Sequence, residues 1–248
     1  MSLISQETTA KTRFFCVRFQ PQSTSTLSAD TEQGDNRRKL ARVLLTRQEE
    51  IKAYPSSVWL LQRTTLLQRF TDIDDVGHKY HLDLVLEDVL DKDSTVNCTA
   101  EVLYHLGNKN IAPAVQFTIE GELKNTDEAD YIFYSRIKSL EKELAAENIP
   151  DSHGSVSPEM EPIHLLAQVA SGYVIWQNST ENTKFQLAQI KHVKQVKRSD
   201  DCLEFDYMIL LHEMVSQEII PWQMTVLWHP QHGVQVTQDS CQPKHALE

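Results

Sequence analysis

Two runs of alternating apolar residues flank a short polar segment between positions 203 and 230. The first run carries Phe205, Tyr207, Ile209 and Leu211, and the second carries Trp222, Met224, Val226 and Trp228. An alternation with a period of two places these side chains on one face of a half-buried strand. The segment between the runs is polar, and Pro221 stands where the chain returns. The pattern therefore predicts two antiparallel strands joined by a loop.

A weaker copy of this pattern occurs in the first half of the chain. Its alternating apolar positions are Cys98, Ala100, Val102 and Tyr104, followed after the loop HLGNKNIAP by Val115, Phe117 and Ile119. Further strands are predicted near residues 58–70, 78–90 and 185–196, and a last edge strand is predicted at 234–237. Two hairpins in two halves indicate a duplicated fold.

Three other segments have the apolar spacing of helices. One begins near Asn36, and a second spans Asn125–Glu147, where Asn125 and Glu128 form a variant of the capping box. The third begins at Ser157, where a cap, a proline and an acid follow one another, and ends near Asn178. Each half thus has a helix followed by antiparallel strands, which predicts an α+β fold in which a curved antiparallel sheet holds a helix.

These patterns divide the 248 residues into five parts. The first part is rich in Ser, Thr, Gln, Glu and Asp and is expected to be disordered. The predicted parts are a disordered leader 1–35, an N-terminal domain 36–125, a connecting helix and linker 126–151, a C-terminal domain 152–238 and a loose tail 239–248.

Composition excludes several classes of function. The net charge of −11 opposes binding to a phosphate backbone, so no nucleic-acid partner is expected. Glycine is scarce and no glycine-rich phosphate loop occurs. No apolar run approaches the roughly 20 residues needed to cross a bilayer, and no signal peptide is evident. We therefore expect a cytoplasmic protein without a membrane partner or a cofactor.

The sequence shows no recognisable catalytic or metal motif. Its cysteines form no CxxC pair, and Cys98 and Cys202 lie on strand patterns, where buried thiols are expected. His78 and His81 are three residues apart on a predicted strand and would point to opposite faces, so they could not share a metal ion. HExxH and GxSxG are also absent. We expect a protein that is not an enzyme.

Several longer runs carry a resemblance to a known family. They are GHKYHL at 77–82, VNCTAEVLY at 96–104, NIPD at 148–151, VSPEM at 156–160, IWQNSTE at 175–181, SQEIIPWQM at 216–224 and VLWHPQ at 226–231. Over about residues 77–237 the chain resembles the latexin family of zinc metallocarboxypeptidase inhibitors. The resemblance implies two cystatin-like domains joined by a helix, a chain that is monomeric when free, and a zinc metallocarboxypeptidase as the partner.

The resemblance also implies which residues meet that partner. Family contacts on the loop of the hairpin predicted at 203–230 correspond to His212, Ser216, Gln217 and Glu218. The interdomain segment adds Asn148 and His153, although the family pattern has a Phe at the position of His153. A loop held by two paired strands loses little entropy on binding, and the amide of Gln217 can both donate and accept hydrogen bonds. Reversible occlusion of the active-site funnel by this hairpin loop and the interdomain face is the expected mechanism.

Two other classes of function remain open on the sequence. The first is a non-inhibitory scaffold that binds other proteins through its sheet edges. The second is a cysteine-protease inhibitor, which needs a Gln-x-Val-x-Gly wedge. The segment Gln62–Leu66 stands near the right place but has neither the Val nor the Gly, so it could not make the tight exposed turn.

Overall fold

A computed structural model describes residues 59–88, 95–107, 111–120 and 127–243. These residues form two antiparallel sheets and two helices, in agreement with the predicted α+β class. The strands are β1 Trp59–Ile73, β2 Gly77–Asp88, β3 Thr95–His105, β4 Ala114–Glu120, β5 Ala145–Ile149, β6 Phe185–Val196, β7 Leu203–Glu213, β8 Glu218–His229 and β9 Gly233–Cys241. The helices are α1 Asp127–Lys138 and α2 Glu161–Gln177. The leader and the helix predicted near Asn36 lie outside the described residues.

The first sheet has four strands in the order β1-β2-β3-β4. The first predicted hairpin is the β3–β4 pair, with Ala100 opposite Phe117. The predicted inward residues of β3 are all buried, and Val115 of β4 is buried with them. Phe117 remains half-buried. Gly77 begins β2 with a φ of 151°, and a Cβ there would lie 1.8 Å from the carbonyl oxygen of Tyr104, so only glycine fits.

The second sheet has five strands in the order β5-β6-β7-β8-β9 and carries the main core. The hairpin β7–β8 has the register that the alternation predicts, with Phe205 opposite Val226 and Tyr207 opposite Met224. Helix α2 covers the inner face of this sheet with a buried apolar side. The hydroxyl of Tyr207 donates a 3.2 Å hydrogen bond to the carbonyl of Ile163 and joins the sheet to the helix.

The prediction of a single helix over Asn125–Glu147 was wrong for the second half of that segment. Helix α1 ends at Lys138, and residues 145–149 form the edge strand β5, in which Ala146 pairs with Val193 of β6. The backbone amide of Leu144 donates to the side-chain Oε1 of Gln195, and the backbone amide of Gln195 donates to the carbonyl of Leu144. Pairing with the edge of β6 thus satisfies this backbone, and tertiary context outweighs local helix propensity.

Two smaller expectations about the second half also need correction. Strand β9 continues to Cys241, beyond the predicted edge strand, and the indole N–H of Trp222 donates a 3.2 Å hydrogen bond to Oδ1 of Asp239. Cys98 is a buried thiol as predicted, but Cys202 lies in the turn before β7 and is only half-buried.

Neither α1 nor α2 has the length and apolar content needed to cross a membrane.

Trp228 provides a test of this core. Its side chain is 0% exposed, and its ring centroid lies 5.4 Å from that of Phe133 and 6.2 Å from that of Tyr134 on α1. Trp228→Ala should lower the free energy of unfolding by about 3–5 kcal/mol, because it opens a cavity between β8 and α1. Trp222→Ala, at a half-buried tryptophan of the same strand, is the matched control and should cost less than half as much. Equal losses in urea denaturation would contradict the assignment of Trp228 to the core.

Candidate functional site

The tip of the β7–β8 hairpin is a short exposed loop formed by residues 214–217. Glu213 and Glu218 are the last paired residues of the two strands. Gln217 has a φ of 60°, in the left-handed region, and its Nε2 donates a 2.6 Å hydrogen bond to the carbonyl oxygen of Met214. The Gln217 side chain therefore closes the loop.

The buried carboxylate of Glu213 holds this loop in place. Its oxygens accept hydrogen bonds from the amides of Lys184 at 2.8 Å, Val215 at 3.0 Å and Ser216 at 2.6 Å. Burial raises the pKa of Glu213, but hydrogen bonds from Ser216, Lys184 and Val215 outweigh it and lower the pKa to about 2. The amide of Met214 also donates to the carbonyl of Lys184 at 2.8 Å. The tip is thus tied to the chain that leads into β6.

The four predicted residues of the hairpin share one continuous surface. His212 lies on the outer face of β7, opposite Gln186 of β6 and Ile219 of β8, and is half-buried. Ser216, Gln217 and Glu218 follow at the exposed tip. The structure therefore brings His212, Ser216, Gln217 and Glu218 together, as the sequence predicts.

Two apolar side chains were missed at this tip. Val215 is 56% exposed and Ile219 is 41% exposed, on either side of the predicted polar residues. Their signal in the sequence is the presence of apolar residues within an otherwise polar loop. Exposed apolar side chains next to polar groups are typical of surfaces that bind other proteins.

The other two predicted residues lie on the edge strand β5 and in the loop that follows it. Asn148 is exposed with a φ of 54°, and its Oδ1 accepts a 3.1 Å hydrogen bond from Nζ of Lys191. Oδ1 of Asp151 accepts hydrogen bonds from the amides of His153 at 2.9 Å and Ser155 at 2.8 Å. This Asx-type turn presents His153 to solvent, and Asp151 is its local support.

Sheet topology places both groups toward the same end of the molecule. Strands β5 and β7 finish at the end where β6 and β8 begin, because all neighbouring pairs are antiparallel. Strands β5 and β7 are separated by β6, a lateral distance of roughly 10 Å between their backbones. Asn148 and His153 thus lie on a separate strand and loop, and the register sets Asn148 level with Met208 and Ile209 of β7, before the tip.

The first sheet meets the second at the loop between α2 and β6. Glu181 in this loop accepts hydrogen bonds from Nδ1 of His78 at 2.9 Å and from the hydroxyl of Tyr80 at 2.6 Å. The indole N–H of Trp176 donates a 2.9 Å hydrogen bond to the carbonyl of Pro113. The same loop ends at Lys184, which holds the hairpin tip.

The two histidines of the HKYH run have different partners. His78 contacts Glu181, whereas Nδ1 of His81 lies 2.9 Å from Glu101. A hydrogen bond from Lys79 is the main cause of a lowered pKa for the Glu101 carboxyl. Among the described ranges, no group of three His, Cys, Asp or Glu side chains is placed to hold a metal ion. His78 and His81 therefore face different carboxylates.

The remaining predicted alternative concerns the Gln62–Leu66 segment. All of it lies within strand β1, where it pairs with β2. A strand interior is not the exposed turn that a cystatin wedge requires. The groups exposed at and beside the hairpin tip are an amide, a hydroxyl, an imidazole and apolar side chains.

Comparisons with known proteins find relatives that match most of the sequence. Mouse latexin is 52% identical over 191 residues, covering 77% of this chain and 86% of the mouse protein. Human latexin is 56% identical over 174 residues, covering 70% of this chain and 78% of the human protein. Human retinoic acid receptor responder protein 1 is 37% identical over 135 residues, covering 54% of this chain and 45% of that protein.

A family model extends the match along the chain. The model described as Latexin covers residues 35–246, which include both sheets, both helices and all six predicted contact residues. The chain belongs to the latexin family.

Proposed function

We propose that this chain is a reversible protein inhibitor of a zinc metallocarboxypeptidase and not an enzyme. Its hairpin tip and its interdomain face, which includes the loop after β5, occlude the mouth of the active-site funnel. The two sheets act as the sheets of two cystatin-like domains in this proposal. The observation that carries it is the hairpin tip fixed by Glu213, which bears Ser216 and Gln217 on its exposed side.

The stiffness of the tip is what makes it suited to occlusion. A flexible loop loses conformational entropy when it is immobilised in a complex, and this cost reduces affinity. Here the loop is already ordered in the free chain, since Glu213 accepts hydrogen bonds from three amides and the carbonyl of Lys184 accepts one from Met214. Little conformational entropy is then lost on binding. A partner then meets a loop whose backbone does not need to rearrange.

The contact chemistry fits a mixed polar and apolar footprint. Gln217, His212 and Ser216 offer hydrogen bonds, while Val215 and Ile219 offer apolar surface beside them. In protein interfaces a few residues usually provide most of the binding energy, so loss of a few contacts at this tip should be measurable.

The loop after β5 enlarges this footprint. Asn148 and His153 are exposed toward the same end of the sheet and would contact the rim of the funnel. A protease–inhibitor interface of standard size buries roughly 1,600 Å² in total.

Titration against two peptidases tests the proposal directly. Equimolar chain should abolish most of the activity of carboxypeptidase A with a one-to-one end point, because occlusion is stoichiometric. Papain should retain its activity, since Gln62–Leu66 provides no wedge. Full carboxypeptidase activity at an excess of the chain would overturn the proposal, and inhibition of papain instead would favour a cysteine-protease inhibitor.

The double variant with Gln217→Ala and His212→Ala tests the contact surface. We expect its inhibition constant to rise by about 10- to 100-fold, which corresponds to roughly 1.4–2.8 kcal/mol of lost binding free energy. The control is Gln235→Ala, which removes an exposed glutamine from β9 at the opposite end of the sheet and should change nothing. If both variants inhibit equally well, the hairpin tip is not the contact.

Glu213→Gln tests the support of the tip. The variant keeps the size of the side chain but loses the charge that strengthens three hydrogen bonds, and it should lose about 1–3 kcal/mol of stability at pH 7. Because the folded pKa of about 2 lies below the ordinary 4.5, this contribution is complete above pH 4.5 and is lost as the pH falls toward 2. Urea denaturation at several pH values should therefore show the wild type and the variant converging in that window. A difference that stays constant down to pH 2 would contradict this role for the carboxylate.

A further inference from the structure

Two of the family-like runs have no role in the hairpin surface, yet they meet in space. They are GHKYHL at 77–82, on β2, and IWQNSTE at 175–181, at the end of α2 and in the loop after it. Both carboxylate oxygens of Glu181 lie near Nδ1 of His78, at 2.9 and 3.0 Å, and the hydroxyl of Tyr80 donates to Oε1 at 2.6 Å. We call this set of contacts the Glu181 clamp. It joins residues about 100 positions apart in the chain.

The donors of the clamp are held from the side of the first sheet. The Phe70 ring centroid lies 5.6 Å from that of His78 and 5.2 Å from that of Tyr80. Nε2 of His78 lies 3.8 Å from a carboxylate oxygen of Asp72. Burial and the carboxylate of Glu181 raise the pKa of Tyr80, so its hydroxyl stays protonated and donates. The two donors are therefore already oriented toward Glu181.

The acceptor of the clamp is held from the side of the second sheet. The hydroxyl of Ser179 donates to the carbonyl of Ile175 at 2.6 Å and fixes the loop to the end of α2. Within the loop, the amide of Thr180 donates to Oγ1 of Thr183 at 2.8 Å. This turn fixes Glu181 relative to Lys184, which is the next loop residue that contacts the hairpin.

Lys184 connects the clamp to the proposed contact surface. Its amide donates to Glu213 at 2.8 Å and its carbonyl accepts from Met214 at 2.8 Å. Only Asn182 and Thr183 thus separate Glu181, which holds the first sheet, from Lys184, which holds the hairpin tip. Any motion of β2 relative to the tip must break the clamp or distort this turn.

We propose that Glu181 is a positioning residue for partner binding, which locks the first sheet against the loop that anchors the hairpin tip. The two then meet the partner as one rigid surface. This inference rests on the proposed inhibitory function. Without the clamp, the relative motion of the two sheets has to be stopped when the complex forms, and the entropy lost in doing so weakens binding. Glu181 itself need not touch the partner.

Variants on both sides of the clamp test this inference. Glu181→Ala removes the acceptor, and the double variant with His78→Ala and Tyr80→Phe removes the donors. Each should raise the inhibition constant for carboxypeptidase A by about tenfold, through the ordering cost on binding. Glu181→Gln keeps an oxygen that accepts from both donors and should stay within about threefold of the wild type. Glu128→Ala, which removes an exposed carboxylate from α1, is the matched control and should inhibit normally.

Hydrogen exchange provides a readout that does not depend on inhibition. In Glu181→Ala, the amides of residues 77–82 and 178–184 should exchange faster, because both sides of the clamp are released. The amides of residues 203–211 in the core strand should keep their wild-type protection. A loss of protection everywhere would mean general destabilisation, and in that case the double variant on the first sheet decides the outcome.

The possible results separate this inference from the proposed function. If the wild type does not inhibit carboxypeptidase A, the proposed function fails and the inference fails with it. If the wild type inhibits, and Glu181→Ala or the double variant inhibits equally well despite faster exchange, only the inference is overturned. An equal loss in Glu128→Ala would also overturn it, since the effect would then be one of charge. Weaker inhibition in both clamp variants, restored in Glu181→Gln, supports it.

Discussion

The carboxylate of Glu213 is the charge on which the geometry of the hairpin end depends. It is largely removed from water, and a buried charge is costly unless hydrogen bonds compensate for it. Three backbone amides provide that compensation, two from the tip and one from the loop before β6. The tip therefore cannot adopt another conformation without leaving the charge unpaired. An energetic requirement of one side chain fixes the backbone that presents Ser216 and Gln217.

The period of two along β7 and β8 determines which residues can serve this surface. Phe205, Tyr207 and Ile209 face the core, so the intervening positions must face outward, and a shift of one residue would reverse the two sets. His212 belongs to the outward set and stands opposite Ile219. The same alternation that builds the core thus places an imidazole and an apolar side chain next to the tip.

The hairpin and its exposed residues could be predicted because their signal is local. The edge strand β5 could not be predicted. The apolar spacing in Asn125–Glu147 is compatible with a helix or with a strand, and only pairing with the edge of β6 decides between them. The tie between Glu213 and the chain before β6 was also beyond prediction, because Lys184 lies 29 residues earlier, although the amides of Val215 and Ser216 are local partners. Asp151 differs from both: its Asx-type turn is local and could have been found from the sequence.

Long-range contacts matter here because they act on stiffness, and stiffness contributes to affinity independently of contact area. Interfaces of equal size differ widely in affinity, in part because they differ in the order that binding must create. In this chain, order is already present at three levels: Glu213 fixes the tip, Lys184 fixes the tip to β6, and the Glu181 clamp fixes the first sheet to the same loop. Each level uses a carboxylate or a backbone group that need not reach the partner. In the proposed inhibitory role, affinity therefore depends on residues behind the surface as well as on those within it.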